Sequence, residues 1–238
     1  MGNDIILLTW TAAGIGLIHT LTGPDHYLPF IVMGRARRWS LVWTLSITAL
    51  CGVGHVLGSV VLGFIGIGAG IALRQLVDIE SLRGEIAAWG LIAFGLVYMV
   101  WGLRRAYRKR PHTHLHVHPA SDMHVHKHTH TGEHTHIHEE AGRPASITPW
   151  ILFVIFVLGP CEPLIPLLMF PAAQSSLAGV ALIAGIFGLV TIATMLGVVA
   201  LAHAGIQRLP LGHLERYTHA LAGGTLALSG LAVALLGL

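Results

Sequence analysis

Long apolar blocks, separated by short polar links, dominate the pattern of this sequence. A helix needs about 20 apolar residues to cross the ~30 Å hydrocarbon layer of a bilayer. Six blocks reach that length, at roughly 5–33, 40–71, 86–106, 147–171, 177–206 and 214–237. The polar residues 74–85 between the second and third blocks indicate a short interfacial connector. The pattern therefore predicts an all-α, polytopic membrane protein with six transmembrane helices.

The composition agrees with this class of protein. Of 238 residues, 54% are hydrophobic and 11% are charged, with a mean hydropathy of +0.71, whereas soluble domains carry about 25% charged residues. The basic residues cluster at the ends of apolar blocks, in 35–38 and in 104–110. Such clusters indicate cytoplasmic flanks rather than nucleic-acid binding. We expect a multi-pass protein of the cell (inner) membrane with both termini outside, partnered by the lipid bilayer and not by nucleic acid.

Two Gly-Pro elements indicate an internal repeat. Gly23-Pro24-Asp25-His26 in the first block returns 136 positions later as Gly159-Pro160-Cys161-Glu162 in the fourth. Gly95 and Gly102 return 135 positions later as Gly230 and Gly237. Three spans per copy would turn the second copy upside down, which is the plan of many transporters. We therefore predict a three-plus-three inverted repeat, 1–106 and 147–238, with proline-broken helices at spans 1 and 4.

The hydrophilic segment 107–146 joins the two halves and holds 11 of the 17 histidines, in alternating His-x-His runs. We expect this cytoplasmic loop to be disordered without a ligand, because it has little to bury. In an extended chain the alternating imidazoles suit a divalent metal ion. A role in transport, a role in metal buffering or sensing with a metallochaperone as partner, and a solubilising linker all stay open.

Ionisable side chains inside apolar blocks are costly and usually functional. Here they are His19, Asp25, His26, His55 and Glu162, with Cys161 beside the last. Two carboxylates would balance one divalent cation, with neutral imidazoles as further donors and Cys161 either ligating or only packing. This donor set suits nickel, cobalt or zinc rather than calcium or magnesium. Displacement of protons by the metal would give a basis for proton coupling.

The segment His19-Thr-Leu-Thr-Gly-Pro-Asp25-His26 resembles the signature of the nickel/cobalt transporter family. Its Gly-Pro-Asp-His form is similar to the urease-accessory nickel permease branch. The resemblance implies metal ligands at His19, Asp25 and His26, with His55 in the next helix. It also implies uptake of Ni²⁺ or Co²⁺, with Zn²⁺ as a third candidate, and neither a cofactor nor enzymatic activity. The His-rich loop resembles that of nickel/cobalt efflux proteins, so efflux is an alternative.

Two further functions remain as alternatives. Gly-Pro-Cys161-Glu-Pro resembles the proline-flanked cysteine of membrane thiol-disulfide relays, for which Cys51 is the only other cysteine available. A metal sensor or store would use the His-rich loop, with the membrane part as an anchor. That function would leave Asp25 and Glu162 unexplained. The oligomeric state is not indicated by the sequence.

Overall fold

A computed structural model of the chain describes residues 2–108, 112–117, 123–128, 147–173, 176–206 and 212–236. The helices are α1 (Gly2–Thr22), α2 (Leu28–Arg37), α3 (Leu41–Gly68), α4 (Leu73–Arg108), α5 (Thr148–Leu158), α6 (Leu164–Ala173), α7 (Leu177–Ile206) and α8 (Thr218–Leu236). Short 3₁₀ helices cover Pro24–His26 and Gly212–Tyr217. Within the segment predicted to be a disordered loop, strands β1 (His112–Val117) and β2 (Met123–His128) pair antiparallel, with His114 opposite His126.

Five of the described helical stretches are long and apolar enough to cross a membrane. They are Asp4–Thr22, Leu41–Gly68, Leu73–Arg108, Leu177–Ile206 and Leu214–Leu236. The fourth predicted block is divided between the shorter helices α5 and α6, at the break predicted for that span. Large apolar side chains such as Trp10 and Leu201 are 75% and 78% exposed, an arrangement that lipid tails tolerate and water does not. The helices are thus compatible with a membrane-embedded protein.

The predicted connector at 74–85 is wrong, because these residues form the first turns of α4. Their mixed charges suggested a connector at the membrane interface. Arg74, Asp78 and Glu85 are indeed exposed. Glu80, however, is completely buried and forms an ion pair with Arg83 one turn later, Nη1 to Oε1 at 2.7 Å. Spacing of i, i+3 places such a pair on one face of a helix, so the charges stabilise α4 rather than end it.

Helices from the two halves of the chain pack against each other. Helix α1 packs against α7, α5 packs against α3, and α4 and α8 pack along their length. Glycines let the backbones of α4 and α8 approach closely, since a Cβ at Gly230 would lie 2.8 Å from the Ala88 carbonyl oxygen. This close approach is typical of small residues between membrane helices. The α4–α8 pair in turn packs against α2 and α5, which belong to the two broken spans.

Candidate metal centre

Each Gly-Pro element ends a helix and changes the partners of nearby backbone carbonyls. Pro160 has no amide proton, so it cannot donate to the carbonyl of Phe156 as the next turn of a helix would. The Phe156 oxygen accepts from the Gly159 amide at 3.0 Å and from Nδ1 of His55 at 3.2 Å. At the other break, the Gly23 carbonyl oxygen accepts from Nδ1 of His26 at 3.2 Å. The two breaks therefore orient two imidazole rings.

Three imidazoles meet between the broken helices. His19 comes from the last turn of α1, His26 from the 3₁₀ helix at the break, and His55 from the middle of α3. One ligand nitrogen from each ring lies within 4.8 Å of the other two. The ring centroids of His19 and His26 are 4.7 Å apart, and those of His26 and His55 are 5.0 Å apart. One metal ion could bring all three nitrogens into its coordination shell.

The hydrogen bonds determine which nitrogen of each ring is available. A carbonyl oxygen only accepts, so Nδ1 carries the proton in both His26 and His55, and Nε2 keeps its lone pair in the neutral ring. The Nε2 atoms of His19 and His26 are buried and have no hydrogen-bond partner among the described residues. Buried polar atoms are normally paired. On these two neighbouring rings, Nε2 is therefore the nitrogen that is available to a ligand.

Asp25 lies behind His26 rather than beside the three Nε2 atoms. Its Oδ1 is 3.0 Å from Nδ1 of His26, the same nitrogen that the Gly23 carbonyl holds. A carboxylate on the far nitrogen of an imidazole fixes the ring and increases its basicity toward a metal. The sequence predicted Asp25 as a direct ligand; in the structure its carboxylate contacts Nδ1 of His26.

The other residues predicted for the site lie at different distances from it. The Cys161 sulfur is completely buried and lies 2.9 Å from Nε2 of His55. Because that nitrogen holds a lone pair, the thiol donates to it. Glu162 is exposed and lines a cavity that also reaches His19. Cys51 is buried in a hydrophobic cluster with Phe30 and Phe156, whereas Cys161 belongs to a different cluster. Both cysteines are free thiols.

Two cavities of opposite charge lie toward opposite ends of α4. The first, of about 260 Å³, reaches His19 and contains Glu85 and Glu162 but no lysine or arginine among its described lining residues. The second, of about 830 Å³, is lined by Arg35, Arg37, Arg38, Arg105 and Arg216, with Glu215 as its acidic residue. Glu85 and Arg105 are 20 residues apart on one helix, which corresponds to about 30 Å. Of the three clustered histidines, His19 thus lies on the acidic cavity.

Sequence reasoning missed Glu80 and Arg83. Besides its bond to Glu80, Arg83 donates from Nη2 to the Val157 carbonyl at 2.8 Å, at the end of α5. The only signal was the i, i+3 spacing of a carboxylate and a guanidinium. That signal is weak in a stretch with many charges.

Two curated proteins are similar to part of the chain. Chloroplast protein FOR GROWTH AND FERTILITY 2 of Arabidopsis thaliana is 32% identical over 102 residues, which cover 42% of this chain and 24% of that protein. Chloroplast protein FOR GROWTH AND FERTILITY 1 of the same plant is 31% identical over 93 residues, covering 39% and 23%. The chain thus spans about a quarter of the length of these relatives. No protein-family model matches the chain, and no solved structure matches it significantly.

These relatives correct the family resemblance drawn from the His19 to His26 segment. They are plant chloroplast proteins and not nickel/cobalt permeases. An eight-residue pattern of His, Gly, Pro and Asp is short, and it describes any broken helix that orients imidazoles with a freed carbonyl and a carboxylate. Assignment to the nickel/cobalt family is therefore wrong, and a metal site must be argued from its geometry alone.

Proposed function

We propose that the protein transports a divalent transition-metal ion across a membrane through a site formed by His19, His26 and His55. The observation that carries this proposal is the convergence of three imidazoles inside a bundle of apolar helices. Two of them have buried Nε2 atoms without a hydrogen-bond partner in the part of the chain that the structure describes. Polar groups at such a place are expensive unless they are used. Imidazole with a neighbouring thiol favours ions of borderline softness, such as Ni²⁺, Co²⁺ or Zn²⁺.

The charges around the cluster support a dication. Asp25 brings a carboxylate to the outer nitrogen of His26. Cys161 lies against Nε2 of His55, and a metal that takes this nitrogen would replace the thiol proton, since metal binding favours deprotonated ligands. The thiolate and the carboxylate would then neutralise the two positive charges. Release of the proton offers a basis for coupling transport to protons.

A three-plus-three inverted repeat is part of this proposal, and matched contacts support it. Gly95 approaches the backbone of Gly223 and Ala227; 135 positions later, Gly230 approaches the backbone of Ala88, and of Ile92. Subtraction of the same offset from 223 and 227 gives 88 and 92. The packing of α1 on α7 is likewise matched by that of α5 on α3. The fourth glycine of the predicted repeat, Gly237, lies outside the described residues.

Such a repeat allows the two halves to rock and expose the site to each side in turn. The arginine-rich cavity would face the cytoplasm, which places the acidic cavity on the outer side and both termini outside. Carboxylates at Glu85 and Glu162 would concentrate cations near His19. Access from the acidic side favours uptake over efflux.

Flux of radioactive nickel into proteoliposomes tests the proposal, with cobalt and zinc as competitors. The comparison includes the wild type, the double variant Asp25→Ala/His26→Ala, a deletion of 112–138, and His203→Ala as a matched control at the arginine-rich end. We expect flux in the wild type, the control and the deletion variant, and none in the double variant. Absence of flux in the wild type, or normal flux in the double variant, would refute the proposal and favour the relay or sensor alternatives.

A further inference from the structure

Arg83 of α4 replaces a missing helix hydrogen bond at the end of α5. In an unbroken helix the Val157 carbonyl would accept from the amide of Cys161, four residues later. The break removes that bond, and Nη2 of Arg83 donates to the Val157 oxygen at 2.8 Å. A positive charge at the C-terminal end of a helix is also favourable to the helix dipole. The last turn of α5 is thus attached to α4.

Glu80 holds Arg83 in the orientation that this contact needs. The Glu80 side chain is completely buried, Arg83 is 17% exposed, and their Oε1 and Nη1 atoms are 2.7 Å apart. One guanidinium therefore uses one nitrogen for the carboxylate and another for the carbonyl, an arrangement that a lysine cannot reproduce with the same geometry. Loss of either partner of a buried pair leaves the other charge without compensation.

Gly58 of α3 leaves the space for this contact. A Cβ at that position would lie 2.7 Å from Nη2 of Arg83 and 3.0 Å from the Val157 oxygen. Gly58 follows His55 by three residues on the same helix. The ligand histidine and the space for the arginine are therefore less than one helical turn apart.

We propose that Arg83 is a positioning residue for the metal centre, aimed by Glu80 and accommodated by Gly58. The carbonyls of Phe156 and Val157 are consecutive. The Phe156 oxygen accepts from Nδ1 of His55, and the Val157 oxygen accepts from Nη2 of Arg83. By fixing the end of α5, Arg83 keeps the Phe156 carbonyl within hydrogen-bond distance of Nδ1 of His55. It also keeps the Cys161 sulfur next to Nε2 of His55. This inference rests on the proposed metal site and assigns to it a residue outside the ligand set.

The equivalent carbonyl in the first half is held differently. Leu21, 136 positions before Val157, accepts from the hydroxyl of Tyr27 at 3.2 Å, within the same broken span. His19 and His26 therefore do not depend on Arg83. Changes at Arg83 should disturb the His55 and Cys161 side of the centre and leave the other side in place.

Cobalt binding to the purified full-length protein in detergent provides the test, because Co²⁺ absorption reports its ligands. A bound thiolate gives a sulfur-to-cobalt charge-transfer band, and the visible bands report the coordination geometry. We expect Arg83→Gln and Gly58→Ala to weaken Co²⁺ binding by about 10- to 100-fold, the usual effect of losing a group that orients a ligand, and to abolish the charge-transfer band. Arg83→Lys should recover part of the affinity. Gly68→Ala is the matched control, because a Cβ at Gly68 meets nothing within 4 Å.

A second measurement needs no metal. In a Cys51→Ser background, Cys161 is the single thiol and is completely buried, so it should react slowly with a maleimide. Arg83→Gln should increase that rate at least tenfold, while Gly68→Ala should not. Wild-type affinity, an unchanged charge-transfer band and slow labelling in the Arg83→Gln and Gly58→Ala variants would overturn the positioning role and leave the proposed function intact. If the wild type binds no cobalt, the proposed metal site itself fails, and this inference fails with it.

Discussion

Replacement of Asp25 by asparagine tests whether Asp25 coordinates the metal directly or supports it through its contact with His26. In the structure, Oδ1 of Asp25 lies 3.0 Å from Nδ1 of His26. Asparagine keeps the size of the side chain and an acceptor oxygen for that nitrogen but removes the negative charge. Nδ1 also keeps the Gly23 carbonyl at 3.2 Å, so the proton stays on that nitrogen and Nε2 stays available. Loss of an outer partner typically lowers metal affinity by about 10- to 100-fold. With the second acceptor retained, we expect about tenfold, or about 1.4 kcal/mol.

Isothermal titration with Ni²⁺ in detergent, repeated with Co²⁺, measures this change. His26→Ala removes a ligand and should weaken binding by clearly more than Asp25→Asn. Asp78→Asn is the matched control, because Asp78 is an exposed carboxylate on α4 outside the described cavities. The control should bind as the wild type does.

Two results would refute this reasoning. If Asp25→Asn weakens binding as much as His26→Ala, Asp25 coordinates the metal directly, as the sequence suggested. If Asp25→Asn binds with wild-type affinity, the carboxylate contributes nothing to the centre, and its contact with His26 is only structural.

Three other expectations follow from the cavities, the glycine packing and the loop. Glu85→Gln combined with Glu162→Gln should raise KM for metal flux severalfold with unchanged kcat, and the difference should shrink at high salt; an unchanged KM at low salt would contradict cation capture. Gly230→Ala should lower stability by about 1–3 kcal/mol, measured as Tm in detergent, whereas Gly197→Ala, with open space at its Cβ, should not; equal Tm values would contradict the close packing. Deletion of 112–138 should remove weak metal binding and leave the tight site unchanged, and loss of the tight site would place it in the loop.

The helix breaks were predictable from sequence because their cause is covalent. Proline lacks the amide proton and so favours a break; α1 and α5 end just before Gly23-Pro24 and Gly159-Pro160, whereas Pro171 lies inside α6. Burial of His26 and His55, and partial burial of His19, followed from their apolar surroundings. The sequence therefore indicated which side chains would be found near the breaks.

The role of each group was not predictable, because it depends on three-dimensional hydrogen bonds. Whether Asp25 touches a metal or only the outer nitrogen of His26 is decided by which side of the ring it lies on. Glu162 follows Cys161 directly, yet one is exposed and the other buried, because the chain turns between α5 and α6. Glu80 looked like part of a polar link because the packing of other helices that buries it and its partner Arg83 is not visible in the sequence.

The exchange of helices between the halves has a consequence for biogenesis. Helix α1 packs against α7, and α3 packs partly against α5. The first half of the chain is therefore synthesised before the helices that cover it. During synthesis, His55 has neither the Phe156 carbonyl nor Cys161 beside it until the second half of the chain has been made. A chain truncated after α4 would therefore lack both contacts of His55, so assembly of the histidine cluster depends on synthesis of the second half.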